Sequence, residues 1–314
     1  MKFSVIIPLY NKEKHIAEAI ESVLSQTVPD FEIIIVDNGS SDNSLHIAKT
    51  YERPGVKVVT QLERKGVSSA RNTGIEASSY DHLCFLDADD YWFEDFLQNI
   101  SELIEAFPQA GIYTTAIQFK RKDTLYHPGY YGLPQAPAKL IVPDYFESIL
   151  HGEQVITASS VCIPKHILNE TGPFDEQVRD GEDQELWNRI ALKYPVAFHR
   201  SASAVYRQDA DNMITHQVPK RELDHAVKLQ KMLDEGHIPD IRKDIIQKII
   251  AANLIGVASM NILAGDKAMA RLLLNDPRSK KLPQRRSYWV LLLALPNFLV
   301  RILYALRRKL LNKR

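Results

Sequence analysis

Apolar and polar positions follow two different rhythms along the first half of the chain. Short, mostly apolar runs, the first three rich in Ile or Val, fall at residues 3–8, 32–36, 56–61 and 82–86, the length and character of buried strands. Between them, over residues 15–26, 41–51 and 66–77, apolar positions recur at helical spacing. Strands alternating with helices predict a parallel sheet with crossover helices. The pattern continues with a helix over 93–107 stopped at Pro108, strands over 111–119 and 155–163, and a helix over 183–193. Residues 123–143, rich in Tyr, Pro and Gly, lack a period and predict a long loop. From Lys220 onward only helical spacing remains, including a long helix over 241–263. The chain therefore reads as an α/β domain over 1–219, a helical appendage over 220–277 and a basic, apolar tail over 278–314.

Charge sharpens that division. Lys plus Arg and Asp plus Glu both number 39, yet residues 278–314 hold eleven Lys or Arg and no acid, leaving a net charge of −11 on residues 1–277. An acidic body repels phosphate backbones and excludes general nucleic-acid binding, while the tail asks for an anionic partner. Cys84 and Cys162 sit inside apolar runs without metal-like or redox spacing, which predicts no disulfide and a reducing cytoplasm. The opening MKFSVIIPLYN carries too short an apolar run for a signal peptide and reads as a first strand.

In the tail, SYWVLLLALPNFLVRILYALRRKLLNKR combines apolar stretches with Arg286, Arg307, Arg308 and Lys309. A membrane span needs about 20 apolar residues. Pro296, Asn297 and Arg301 interrupt the run, and Tyr288 and Trp289 supply interfacial aromatics. These features predict a helix lying on an anionic membrane surface, and hence a cytoplasmic protein held peripherally at the inner face of the cell membrane. Packing of the tail against the chain's own helices is the competing expectation.

Candidate chemistry lies at strand ends, where ligands of open α/β sheets bind. In IIIVDNGSSDNS, Asp37 closes a buried strand and can accept the imide N–H of a uracil, although Asp, Asn, Gly and Ser also form turns and caps. In FLDADDYW, Asp87, Asp89 and Asp90 close another strand. Three clustered carboxylates repel one another, and a hard divalent cation such as Mg²⁺ or Mn²⁺ would relieve that cost, while a solvated turn capping the helix near Phe93 is the competing reading. Arg71, in GVSSARNTGIEAS, offers a planar cationic fork for a base or a pyrophosphate, with a surface salt bridge as the rival role, favoured when Arg71 is read alone. Glu182 and Asp183, in RDGEDQELW, fall at a helix start, where they serve either as favourable end charges or as a general base. In AVYRQDADNMI, Tyr206 and Arg207 lie in a polar loop with Asp209 and Asp211, and a basic group there can neutralise a departing diphosphate. His199 reads as a core or surface histidine.

Taken in order, SVIIPLYN, VDNGSSDNS, SSARNTGI, FLDADD and GEDQELW resemble family 2 glycosyltransferases over about the first 215 residues. The resemblance implies a GT-A fold, a Rossmann-like, mostly parallel sheet with flanking helices, here followed by a C-terminal helical region. It implies that Pro8 and Leu9 line a base pocket, that Asp37 and Arg71 hold the base, and that Asp87, Ala88 and Asp89 form a D-x-D motif. Asp89 would bind Mn²⁺ or Mg²⁺, Arg207 would lie on the donor, and Asp183 would be the catalytic base beside Glu182. The implied reaction is an inverting, metal-dependent transfer from a nucleotide-sugar, most simply a UDP-sugar, to a saccharide or lipid-linked saccharide acceptor in surface-polysaccharide or lipopolysaccharide assembly. Two departures matter. Asn38 stands where many members have a second acid, which leaves uridine and thymidine donors both open. The Q-x-x-R-W motif of processive members is absent, which implies one sugar per encounter. Two rival readings are a catalytically silent nucleotide-binding module and a nucleotidyltransferase. Asp89 and Asp183 speak against the first, and the glycine-free PLYNKEKH after the first strand against the second.

Overall fold

The first strand, β1 (Phe3–Leu9), is apolar but for Ser4, as fits a strand with parallel neighbours on both edges, β2 (Phe31–Asp37) on one side and β4 (His82–Phe85) on the other. Beyond β2 runs β3 (Val56–Thr60), also parallel. Helices α1 (Ile16–Leu24), α2 (Ser44–Lys49) and α3 (Val67–Ala77) make the crossovers. The approach of α3 to β1 is close enough that a Cβ on Gly74 would fall 2.3 Å from Cγ2 of Ile6, so this position accepts only glycine without movement. The computed structural model describes residues 1–61, 63, 66–130, 132–152, 155–210 and 218–311, with side chains as far as residue 306.

The sheet continues with β5 (Tyr91–Trp92), β6 (Ile112–Arg121), β7 (Thr124–Tyr126), β8 (Lys139–Ile141), β9 (Val161–Pro164) and β10 (Val196–Arg207), and its order is β3-β2-β1-β4-β9-β6-β10-β5. β9 is antiparallel to both β4 and β6, whereas β6 and β10 are parallel. Helices α4 (Phe96–Ala106), α5 (Tyr145–Leu150), α6 (Lys165–Thr171) and α7 (Glu182–Ala191) complete the layer. A core of Phe3, Ile7, Val23, Phe96 and Trp92 fills one face, with the Trp92 and Phe96 rings stacked at 3.9 Å. Cys84 and Cys162 are buried, free and opposite one another across β4 and β9.

Several elements differ from the pattern-based expectation. The strand expected over 155–163 shrinks to β9, because residues Ala158–Ser160 form a 3₁₀ turn closed by the side chains of Thr157 and Ser160. The stretch expected as one loop over 123–143 contains β7 and β8, which pair with β6 and β10. Tyr206 and Arg207 end a twelve-residue strand rather than lying in a loop. Asp211 and Asn212 lie outside the described residues.

The chain divides into two units, residues 1–213 and 214–314. The second is helical, with α8 (Asp224–Asp234), α9 (Asp240–Ala264), α10 (Lys267–Asn275), α11 (Pro283–Leu293) and α12 (Asn297–Leu311). α9 is its centre and touches the other four. By length and composition this 25-residue helix could cross a membrane, but Ile246, Ile250, Leu254, Ala258 and Ile262 are buried among its neighbours. The basic tail is not a separate appendage. Leu292, Leu293 and Val300 are buried in this unit, while Phe298, Ile302 and Leu306 are exposed. Arg307, Arg308 and Lys309 lie beyond the described side chains.

Candidate active site

The carboxyl ends of β1, β2 and β4 stand side by side, because parallel register sets Leu9 opposite Asp37 and Ile6 opposite Phe85. Asp37 is almost fully buried, and its carboxylate accepts the N–H of Gly39 at 3.1 Å and of Ser40 at 3.3 Å, organising its own turn. Asn38 donates its side-chain amide to the Gly66 carbonyl at 2.7 Å and its N–H to the Leu9 carbonyl at 2.9 Å. Pro8 is half-buried, and the Leu9 side chain belongs to the hydrophobic core.

The three acids after β4 diverge. Asp87 accepts from Nη2 of Arg71 at 2.8 Å, Asp89 from Nζ of Lys12 at 2.6 Å, and Asp90 turns inward to Oγ of Ser159 at 2.5 Å and the N–H of Arg207 at 2.8 Å. Burial, with Asp89 and Asp87 nearby, pushes the Asp90 carboxyl well above the usual range. Each of the three acids also has a separate protein partner. Ala88 is buried between them.

Arg71 reaches from α3 into the protein with its side chain 3% exposed. Nη1 donates to Oε1 of Glu182 at 3.0 Å, and the guanidinium lies 5.2 Å from the centroid of the Phe174 ring. This fork joins the D-x-D segment to the first turn of α7. Gly181, at φ 76°, makes the left-handed turn into that helix and leaves Glu182 and Asp183 at its start. Asp183 keeps some exposure but is ringed by protein atoms, and this desolvation pushes its carboxyl up against the pull of Arg71. Glu182 is pushed up by burial and by Asp183, with Arg71 again opposing. Within α7, Oδ1 of Asp183 accepts the Gln184 N–H at 2.7 Å, and the Gln184 amide reaches the Tyr145 hydroxyl at 3.2 Å.

From the other side comes Arg207, the last residue of β10. Its Nε donates to the Asp89 carbonyl at 3.0 Å, Nη2 donates to Glu18 at 2.6 Å, and the guanidinium lies 5.8 Å from the Tyr91 ring centroid. His199 is buried in β10 as a core histidine. Lys12, Ser159 and Tyr91 were not singled out in the sequence. Lys12 had the clearest signal, a cation in the polar run directly after the first strand.

Among the described residues no three His, Cys, Asp or Glu side chains form a ready-made metal cage. A Mg²⁺ or Mn²⁺ ion that keeps waters and substrate phosphates in its shell needs only one or two carboxylates, all hard oxygen donors. Asp89, with Asp87 two residues before it at a strand end, fits that requirement.

A mostly parallel sheet with Asp37 after its second strand, a D-x-D segment after its fourth and an acid pair opening a later helix is the GT-A architecture. Residues 4–156 match the family described as Glycosyl transferase family 2, and the chain belongs to it. The poly(ribitol-phosphate) beta-N-acetylglucosaminyltransferase TarS of Staphylococcus aureus is 30% identical over 267 residues, 79% of this chain and 44% of that protein. Glycosyltransferase EpsJ of Bacillus subtilis is 42% identical over 103 residues, 32% of this chain and 30% of that one. The chain thus spans less than half the length of these curated relatives. The crystal structure of S. aureus TarS 1-349 in complex with UDP-GlcNAc aligns at a TM-score of 0.64 and 20% identity, covering 92% of this chain and 89% of that one, and shows the shared fold.

Proposed function

We propose that the chain is an inverting glycosyltransferase that moves one sugar per encounter from a UDP-sugar to a hydroxyl of a surface-polymer acceptor. One observation carries the reading: Arg71 ties Asp87 of the D-x-D segment to Glu182, next to Asp183, with bonds of 2.8 and 3.0 Å. The group that would meet the donor and the group that would activate the acceptor are thereby held in one constellation. Asp183 takes the proton of the acceptor hydroxyl, that oxygen attacks the anomeric carbon, and the bond to the diphosphate breaks, so configuration inverts. Arg207, fixed by the Asp89 carbonyl and Glu18, adds positive charge on the donor side. A Mg²⁺ or Mn²⁺ ion at Asp89 would supply charge neutralisation for the leaving diphosphate.

The activity of TarS and its UDP-GlcNAc complex support a UDP-sugar donor and a cell-wall or polysaccharide acceptor. The exposed apolar side of α12 in a stretch with no acids supports an anionic membrane as the working surface, at the cytoplasmic face. Calorimetric binding of UDP, dTDP and GDP, each with Mn²⁺ and again with chelator, tests the donor reading. Metal-dependent binding of UDP is the expected result, and no binding of any of the three would overturn it.

A further inference from the structure

The lysine paired with the D-x-D motif has no role in the reading above, on which the following rests. We propose that Lys12 is a diphosphate-binding cation that shares Asp89 with the divalent ion, holding the carboxylate until the donor arrives and then turning to a phosphate oxygen. Its Nζ lies 2.6 Å from Oδ2 of Asp89, with the two side chains 14% and 15% exposed. The backbone beneath it is fixed. Asn11 takes the left-handed conformation, φ 51°, which asparagine tolerates, and its Oδ1 accepts the Ser41 N–H at 2.8 Å. The N–H of Lys12 donates to Oγ of Ser44 at 2.7 Å, that of Glu13 to Asp42 at 3.2 Å, and that of Asn43 to Glu13 at 3.0 Å. The segment after β1 is thus laced to the segment after Asp37, and the flexible lysine stem spans from there to the acid after β4.

Two cations compete for one carboxylate here. A metal ion bound about 2 Å from a carboxylate oxygen of Asp89 would stand within a few ångströms of Nζ and repel it. A nucleoside diphosphate arriving with the ion brings the nearest new negative charge, and a compact ammonium on a four-carbon stem can swing to it without moving the laced backbone.

Titration of Mn²⁺ alone, uridine, and UDP with Mn²⁺ into wild type, Lys12→Met and Lys12→Arg separates this role from a structural one. Lys12→Met should bind Mn²⁺ alone several-fold more tightly because Asp89 is released, and UDP with Mn²⁺ about tenfold more weakly, the scale of a lost charged hydrogen bond. Uridine affinity should stay unchanged, and Lys12→Arg should recover most of the UDP affinity. Equal UDP affinity in wild type and Lys12→Met, or a parallel loss of uridine binding, overturns the proposal while leaving the donor reading intact. Failure of wild type to bind UDP removes both.

Discussion

Asp183 carries opposing demands. Burial holds its carboxyl above the ordinary range despite Arg71, so the folded chain keeps this proton more tightly than the unfolded one. The stability contributed by the protonated form is complete below the unfolded value and is lost as pH rises through the folded one, while the proposed role as base requires the ionised form. Asp183→Asn should therefore lower turnover by at least about 10²-fold, the usual scale of general-base loss, while raising or preserving Tm at neutral pH. In wild type the acidic limb of kcat should fall at a higher pH than an unperturbed aspartate would give. A variant that melts earlier and still turns over would refute the role of base. Asp89→Ala should abolish the Mn²⁺-dependent part of UDP binding, read by calorimetry with and without chelator. Unchanged binding would remove the metal assignment.

At the scale of elements, α3 does two jobs with one helix. Gly74 lets it lie against β1, and Arg71, one turn earlier, reaches β4 and α7. Gly74→Val should cost at least about 2 kcal/mol through overlap with Ile6, measured by urea unfolding. Arg71→Ala leaves Asp87 and Glu182 without their shared cation, and a loss of about 3 kcal/mol is expected at neutral pH. Because the Glu182 and Asp183 carboxyls are shifted up, that loss should shrink in mild acid, where protonation removes their charge. The parallel strands were legible because burial on both faces forces unbroken apolar runs. β7, β8 and the far end of β10 were not. β7 is exposed along its length, and the register of β10 against β6 shifts between His199 and Ala204, which interrupts any alternation.

On the scale of the whole molecule, the tail of the helical unit has a buried side and an exposed apolar side. Leu292, Leu293 and Val300 are buried, so deleting residues from Ser287 onward would strip packing from this unit as well as any membrane-binding face. Substitution is the cleaner test. Replacing Phe298, Ile302 and Leu306 by Ser, all exposed, should leave Tm within about 2 °C while abolishing sedimentation with anionic vesicles. Sedimentation equal to wild type would remove the membrane assignment and leave the packing role.

By itself the sequence determined the parallel strands, the placing of Asp37 and the D-x-D segment at strand ends, the acid pair at a helix start and the contrast between acidic body and basic tail. Each of these is written in local periodicity or composition. Tertiary structure decided the partners: Lys12 for Asp89, Arg71 for both Asp87 and Glu182, and Ser159 for Asp90, across separations of 77, 16, 111 and 69 residues. Hydrophobic spacing dictates which face of an element is buried, but not which polar side chains meet across the ends of strands. That depends on sheet order and register, and those arise only when the whole sheet assembles.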